Sequence, residues 1–137
     1  MSDSFRKKIT GLAEIYKTHG NAVFAKIDKK DFLKTMEKTA ELTERISSIS
    51  GHDNGKTIEL VYTFTSEKLV LNIKVEIDRK KPKIESVTKL FPGAGVFERE
   101  NFEMLGVVFS GNKNLKKILL GKKSPKTPLR KSIKEGE

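Results

Sequence analysis

Two stretches near the middle of the chain alternate apolar and polar residues with a period of two. From Thr57 to Thr65, Ile58, Leu60, Tyr62 and Phe64 fall on one face. From Leu69 to Asp78, Leu69, Leu71, Ile73, Val75 and Ile77 do the same, with Asn72, Lys74 and Glu76 opposite. Successive side chains of a strand point to opposite sides, so this pattern predicts two strands with one buried and one wet face. Only Ser66-Glu67-Lys68 separates them, which predicts an antiparallel hairpin. Val23, Ala25 and Ile27 alternate in the same way and predict a further short strand.

Elsewhere the spacing lengthens. Phe5, Ile9, Leu12 and Tyr16 recur at helical intervals, predicting a helix from Ser2 to Lys17, capped by Ser2 or Ser4 and stopped near Gly20. Asp28 reads as the cap of a second helix, with Asp31 in a box-like position behind it. That helix is expected to run from about Lys29 to Ile46, with Phe32, Leu33, Met36, Ala40 and Thr43 on its inner side. Ile46 to Ile49 is a short strand candidate, followed by a turn over Gly51-His52-Asp53-Asn54-Gly55. Arg79 to Lys83 is a basic linker in which Pro82 ends any preceding strand, and Ile84 to Leu90 could add one more. Pro92-Gly93 opens a third helix, with Ala94, Phe97, Asn101 and Met104 along one side and Gly106 at its end. Asn114 to Leu120 reads as a short helix with Leu115, Ile118 and Leu119 inward. From Gly121 onward Gly, Ser, Pro, Thr and Lys dominate, and no independent fold is expected. The sum is an α+β domain: an antiparallel sheet with helices packed on one face over residues 1–120, and an extended basic C-terminal tail over residues 121–137.

Composition narrows the chemistry. The chain has 137 residues and no cysteine, so thiolate metal sites and cysteine-held iron–sulfur clusters are excluded. His19 and His52 are its two imidazoles, too few for a self-contained zinc or haem site. No apolar run approaches the length that spans a bilayer, and Ser2 to Lys8 leads into no signal-peptide core. A soluble protein that stays where it is made is therefore expected. The net charge of +10 is concentrated late in the chain. Lys113, Lys116, Lys117, Lys122, Lys123, Lys126, Arg130, Lys131 and Lys134 meet no acid between Met104 and Lys134. Such a segment suits an anionic surface on a protein, a lipid headgroup or a nucleic acid.

The most informative stretch is Phe97 to Gly111. Glu98, Arg99, Glu100 and Glu103 crowd its start, and an apolar run then ends in Ser110-Gly111. Adjacent residues leave a helix in different directions, so Glu98 and Arg99 cannot pair as helix neighbours do. Glu98, Glu100 and Glu103 could form an acid–base set, but no nucleophile, imidazole or metal ligand accompanies them. An internal or interfacial ion pair is the stronger reading, and a carboxylate partner is expected for Arg99. Phe97, Phe102 and Phe109 could stack on bases, yet they alternate with aliphatics as packing residues do. His52, in a turn-rich segment, reads as an exposed side chain.

These residues resemble a known family. Phe97-Glu98-Arg99-Glu100 to Gly111, then Asn114-Leu115-Lys116-Lys117-Ile118-Leu119-Leu120, then Pro128-Leu129-Arg130-Lys131, is similar to the signature of the C subunit of the proton-pumping NADH dehydrogenases. Ile27-Asp28-Lys29-Lys30-Asp31, Leu60-Val61-Tyr62 and Ile84-Glu85-Ser86-Val87-Thr88 follow in the family's order, so the resemblance spans roughly residues 21–131. Phe97 stands where the family usually has Trp, and Asn112-Lys113 replaces His-Pro. The resemblance extends to related subunits of membrane-bound hydrogenases. It implies a non-catalytic soluble-arm subunit on the cytoplasmic side of the membrane. Its partners would be a large quinone-site or hydrogenase-like subunit and a neighbouring iron–sulfur subunit. Iron–sulfur clusters, and in the hydrogenases a nickel–iron centre, would sit in those partners and no cofactor in this chain. The implied interface residues are Phe97, Glu98, Arg99, Glu100, Phe102, Glu103, Gly106, Phe109, Gly111, Pro128, Leu129, Arg130 and Lys131. The basic tail would then be a docking arm that orders on the larger subunit. Two other readings of the tail are a small RNA-binding module, whose lysines neutralise phosphates, and a solubilising segment.

Overall fold

In the computed structural model, residues 13–43, 45–66 and 69–112 are described. The predicted helix Asn114 to Leu120, the tail, and the N-terminal part of the first predicted helix lie outside them.

The two alternating stretches form the centre of the sheet. Strand β4 (Thr57–Thr65) and strand β5 (Val70–Asp78) pair antiparallel in unbroken register from Thr57↔Asp78 to Thr65↔Val70. Ile58, Leu60, Tyr62, Phe64, Leu71, Ile73, Val75 and Ile77 are all buried, as the alternation requires. Strand β2 (Ala22–Ile27) places Val23, Ala25 and Ile27 on the same face, beside β5. Strand β3 (Ile46–Asp53) flanks β4 on the other side. On the wet face, Lys74 meets Glu59 at 3.4 Å and Lys26 meets Glu76 at 3.6 Å, ion pairs across neighbouring strands.

With β1 (Glu14–His19) at one edge, the five-stranded order is β1-β2-β5-β4-β3. One of its ladders departs from the expected antiparallel sheet: β2 runs parallel to β5, so the sheet is mixed within an α+β fold. Where the first predicted helix enters the described residues it gives way, because Glu14–His19 is a strand, β1, hydrogen-bonded antiparallel to β2. Ile15, Tyr16 and Thr18 are good strand formers, and pairing β2's free edge outweighs a helical spacing. Tyr16 packs against Phe24 with ring centroids 6.4 Å apart. Gly20, expected to stop a helix, instead turns the β1–β2 hairpin with φ at +60°.

Helix α1 (Phe32–Ala40) follows a 3-10 turn over Lys29–Asp31. Asp28 has the extended backbone of a cap but makes no side-chain cap bond. The helix ends at Ala40, short of Ile46, because β3 claims Ile46 onward. Its buried face is Phe32, Thr35, Met36 and Thr39, and Leu33 faces outward instead of inward. β3 is also longer than expected, since Gly51, His52 and Asp53 pair with Leu60, Glu59 and Ile58. The turn therefore narrows to Asn54–Lys56. There Asn54 Oδ1 accepts from the amides of Lys56 and Thr57 at 2.8 and 2.7 Å. Buried Asp53 accepts from Arg79 Nε at 2.8 Å, tying the end of β3 to the linker after β5.

The predicted strand Ile84 to Leu90 shrinks to β6 (Lys83–Glu85), which pairs parallel with β7 (Val108–Ser110) in a second small sheet. Between them runs helix α2 (Ala94–Leu105). One hydrophobic core takes residues from the large sheet, both helices and the small sheet. Phe32 contacts Tyr62 at 5.2 Å between centroids, and Phe91 contacts Phe64 at 4.9 Å.

Candidate functional site

Helix α2 begins just after Pro92 and Gly93, where Ala94 N–H reaches the Phe91 carbonyl at 2.9 Å. It stops where the sequence predicts: Gly106 takes φ of +78° and its N–H bonds back to Phe102 at 2.9 Å. A left-handed residue after the last turn costs little without a Cβ. The chain then enters β7 at once.

Glu98 is fully buried, in a carboxylate clamp. Its Oε1 accepts from Ser86 Oγ at 2.7 Å and from Asn112 Nδ2 at 2.8 Å, and its Oε2 accepts from the Val87 amide at 2.8 Å. One side chain thus joins α2 to the turn after β6 and to the residues after β7. Burial raises the Glu98 pKa from its ordinary 4.5. The hydrogen bonds from Val87, Ser86 and Asn112 oppose that rise and are outweighed. The partners are neutral donors, so the expected ion pair is replaced here by a hydrogen-bonded carboxylate.

Asn101 makes the second link. Its Nδ2 donates to the Ile49 carbonyl of β3 at 2.9 Å and to the Phe97 carbonyl of its own helix at 2.8 Å. This close approach is possible because residue 51 of β3 is glycine: a Cβ there would collide with Asn101 Oδ1 and Leu105 Cδ1. α2 thereby covers β3, the edge of the large sheet.

The predicted interface residues differ in their burial. Glu98, Glu103 and Phe109 are buried within the chain itself. Phe97, Arg99, Glu100, Phe102 and Gly106 are half-buried, and Gly111 is exposed with φ of +95°. Pro128, Leu129, Arg130 and Lys131 lie outside the described residues. The carboxylate expected opposite Arg99 is not found among the described residues, and Arg99 Nε is buried without a hydrogen-bond partner. Two further buried atoms share that condition: the Tyr62 hydroxyl and Glu85 Oε2. The Tyr62 pKa lies well above 10.0, chiefly through burial and secondarily through the negative charges of Glu98 and Glu85. His52 is exposed, as expected.

Sequence reasoning passed over Ser86, Asn112, Gly51 and Tyr62 as parts of this cluster. Gly51 carried a signal, being a glycine inside a β-compatible run; Ser86 and Asn112 carried none. Among the described residues, no group of three or more His, Asp or Glu side chains could hold a metal ion, and no helix is long and apolar enough to cross a membrane.

Comparison with known proteins points one way. The family model for the respiratory-chain NADH dehydrogenase 30 Kd subunit matches residues 25–137. The NADH-quinone oxidoreductase C subunit of Moorella thermoacetica is 40% identical over 79 residues, covering 56% of this chain and 53% of that protein. The equivalent C subunit of a Roseiflexus species is 38% identical over 81 residues, covering 57% and 46%. The chain thus spans about half the length of these relatives. A joined C/D subunit of the same enzyme from Photorhabdus laumondii is 44% identical over 59 residues, covering 43% of this chain and 10% of that one. Among solved structures, the trypsin-resistant fragment of Nqo5 superposes with a TM-score of 0.70 at 18% identity, covering 83% of this chain and 98% of the fragment. The membrane-bound sulfane sulfur reductase, an archaeal respiratory membrane complex, contains a chain matching with a TM-score of 0.75 at 19% identity, covering 87% and 75%. At that identity the likeness speaks for the fold.

Proposed function

The chain belongs to the respiratory-chain NADH dehydrogenase 30 Kd subunit family, and from that premise we propose that it is a non-catalytic subunit that assembles with and stabilises the large subunit of a membrane-associated, complex I-like oxidoreductase. The observation that carries this reading is the Glu98 clamp. In the acidic cluster that could have supplied acid–base chemistry, the first carboxylate, Glu98, instead holds α2 to the segments after β6 and β7. Glu103 is buried as well, and Glu100 is half-buried. What the chain offers a reaction elsewhere is a rigid surface.

The partners in this reading are a large quinone-site or hydrogenase-like subunit and a neighbouring iron–sulfur subunit, on the cytoplasmic side of the membrane. The redox groups belong to those partners. The Photorhabdus relative supports a lasting association, because its matching segment is a small part of a polypeptide whose name joins C with D. Nothing among the relatives favours the RNA-binding reading of the basic tail.

Capture of the tagged full chain from membranes of its own host, with the bound subunits identified by mass spectrometry, tests the proposal. Iron–sulfur oxidoreductase subunits are expected in stoichiometric amount, and their loss on deleting residues 121–137 would assign the tail a docking role. Recovery of the chain as a lone monomer would refute the subunit role.

A further inference from the structure

The hydrogen bonds of the Glu98 clamp continue past its first partners. Ser86 Oγ, which donates to Glu98 Oε1 at 2.7 Å, lies 2.9 Å from Thr88 Oγ1, and either hydroxyl can donate to the other. The Thr88 amide also donates to Ser86 Oγ, at 3.2 Å. A chain of hydrogen bonds thus runs from a fully buried carboxylate to a half-buried threonine. Ser86 and Thr88 line a cavity of about 200 Å³ whose walls include the solvent-exposed Lys89 and Gly111.

The three donors around Glu98 are not equivalent. The Val87 N–H and Asn112 Nδ2 can only donate, whereas a serine hydroxyl can also accept. A proton taken up by Glu98 therefore finds its acceptor on the Oε1 side, at Ser86 Oγ; on Oε2 it would face the Val87 N–H, another donor. The hydroxyl pair can deliver it. Thr88 Oγ1 takes a proton from solvent at the cavity and passes its own to Ser86 Oγ, which passes its own to Glu98 Oε1. Each bond of the chain is kept with its direction reversed, and one proton has moved from solvent to the carboxyl group. Oε2 is then a neutral carbonyl oxygen that still accepts from Val87. Oε1 is then a hydroxyl oxygen, without the charge that made it a strong acceptor for Asn112.

We propose that the Ser86–Thr88 pair makes the clamp a pH-sensitive latch, in which proton uptake at Glu98 preserves the bonds to Ser86 and Val87 and loosens the bond to Asn112. The bond it controls lies at the start of the basic run, since Asn112 directly precedes Lys113. Burial raises the Glu98 pKa above 4.5, while the bonds from Val87, Ser86 and Asn112 lower it, each being stronger to the charged form. Among the described residues, the other titratable or charged groups at this cluster are Tyr62 from β4, Glu85 from β6 and Lys89 on the cavity wall, with Arg99 next in sequence on α2. Tyr62 stays protonated, its pKa held well above 10.0.

NMR titration of the isotopically labelled full chain tests this. The Glu98 carboxyl carbon should titrate with a midpoint above pH 4.5. The scalar coupling across the Asn112–Glu98 hydrogen bond should be lost on the acid side of that midpoint, and the coupling across Val87–Glu98 should persist. Thr88→Val ends the relay at Ser86 and removes an acceptor that the acid form needs, so the midpoint should move to lower pH. Asn112→Ala removes a bond that favours the charged form and should move it to higher pH. Glu85→Gln should leave the joint response of Glu98 and Asn112 in place. Persistence of the Asn112 coupling below the midpoint overturns the proposal. So does loss of the Val87 coupling in its stead, or a midpoint that Thr88→Val leaves unmoved. If Glu85→Gln abolishes the response, the proton is taken up at Glu85 and the proposal fails.

Discussion

The two α-helices among the described residues both bury polar side chains, but they satisfy them in opposite ways. In α1, Thr35 and Thr39 are buried, and each hydroxyl returns to its own helix, to Asp31 O and Thr35 O at 2.8 Å. In α2, Glu98 and Asn101 are buried, and each reaches out to another element, across separations of up to 52 residues. α1 is held to the core by Phe32 and Met36 and would dock almost as well without its hydroxyls. α2 also packs Ala94 and Leu105 into the core, with Phe97 and Met104 against it, and adds specific polar links to other elements. A polar group inside a helix thus says little until its partner is known.

Substitutions sharpen the contrast. Glu98→Ala removes the acceptor for three donors, two of them side chains and one the Val87 amide. A loss on the order of 3–5 kcal/mol of unfolding free energy is expected, read by denaturant titration. Should Glu98→Ala cost no more than an exposed substitution, the clamp is not what joins α2 to β6 and β7. Gly51→Ala drives a methyl group into Asn101 and Leu105 and should cost about 1–3 kcal/mol, with α2 and β3 losing amide-exchange protection together. Asn101→Leu leaves the Ile49 carbonyl without its donor and should cost about 1–2 kcal/mol by the same titration.

The clamp also has a pH signature. Burial raises the Glu98 pKa in the folded chain above its ordinary 4.5. The folded state therefore holds this proton more tightly than the unfolded state. The resulting contribution to stability is complete below pH 4.5 and is lost as the pH rises through the folded pKa. Unfolding free energies measured from acid to neutral pH should fall more for the unaltered chain than for Glu98→Gln, which cannot ionise. Parallel profiles would show that Glu98 does not titrate differently on folding. The smallest effect is expected in α1. Thr39→Val replaces a self-satisfied hydroxyl with a methyl of similar shape and should change stability by less than about 0.5 kcal/mol. A large loss there would erase the distinction between the two helices.

Much of the sheet was legible because its information is local. Alternation in Ile58 to Phe64 and in Leu71 to Ile77 names the buried face without reference to any partner, and Gly106 marks its own helix end. β1 was misread because Tyr16 continues the helical spacing of Phe5, Ile9 and Leu12 in the sequence, while what makes Glu14–His19 a strand is the unpaired edge of β2. The parallel pairing of β2 with β5 was equally hidden, since the direction of a neighbour is not written in a strand's own residues.

At the candidate site the sequence by itself identified a charged, glycine-punctuated helix and the family whose signature it resembles. It also determined the apolar face on which the domain is built. Only the tertiary structure decided that Glu98 turns inward to three neutral donors, that residue 51 must be glycine beneath Asn101, and that Arg99 Nε and Glu85 Oε2 are buried without a hydrogen-bond partner. The reason is range. Hydrophobic burial follows a pattern that repeats every two or four residues. A buried polar atom is satisfied by one particular partner, and the chain must fold before that partner is near.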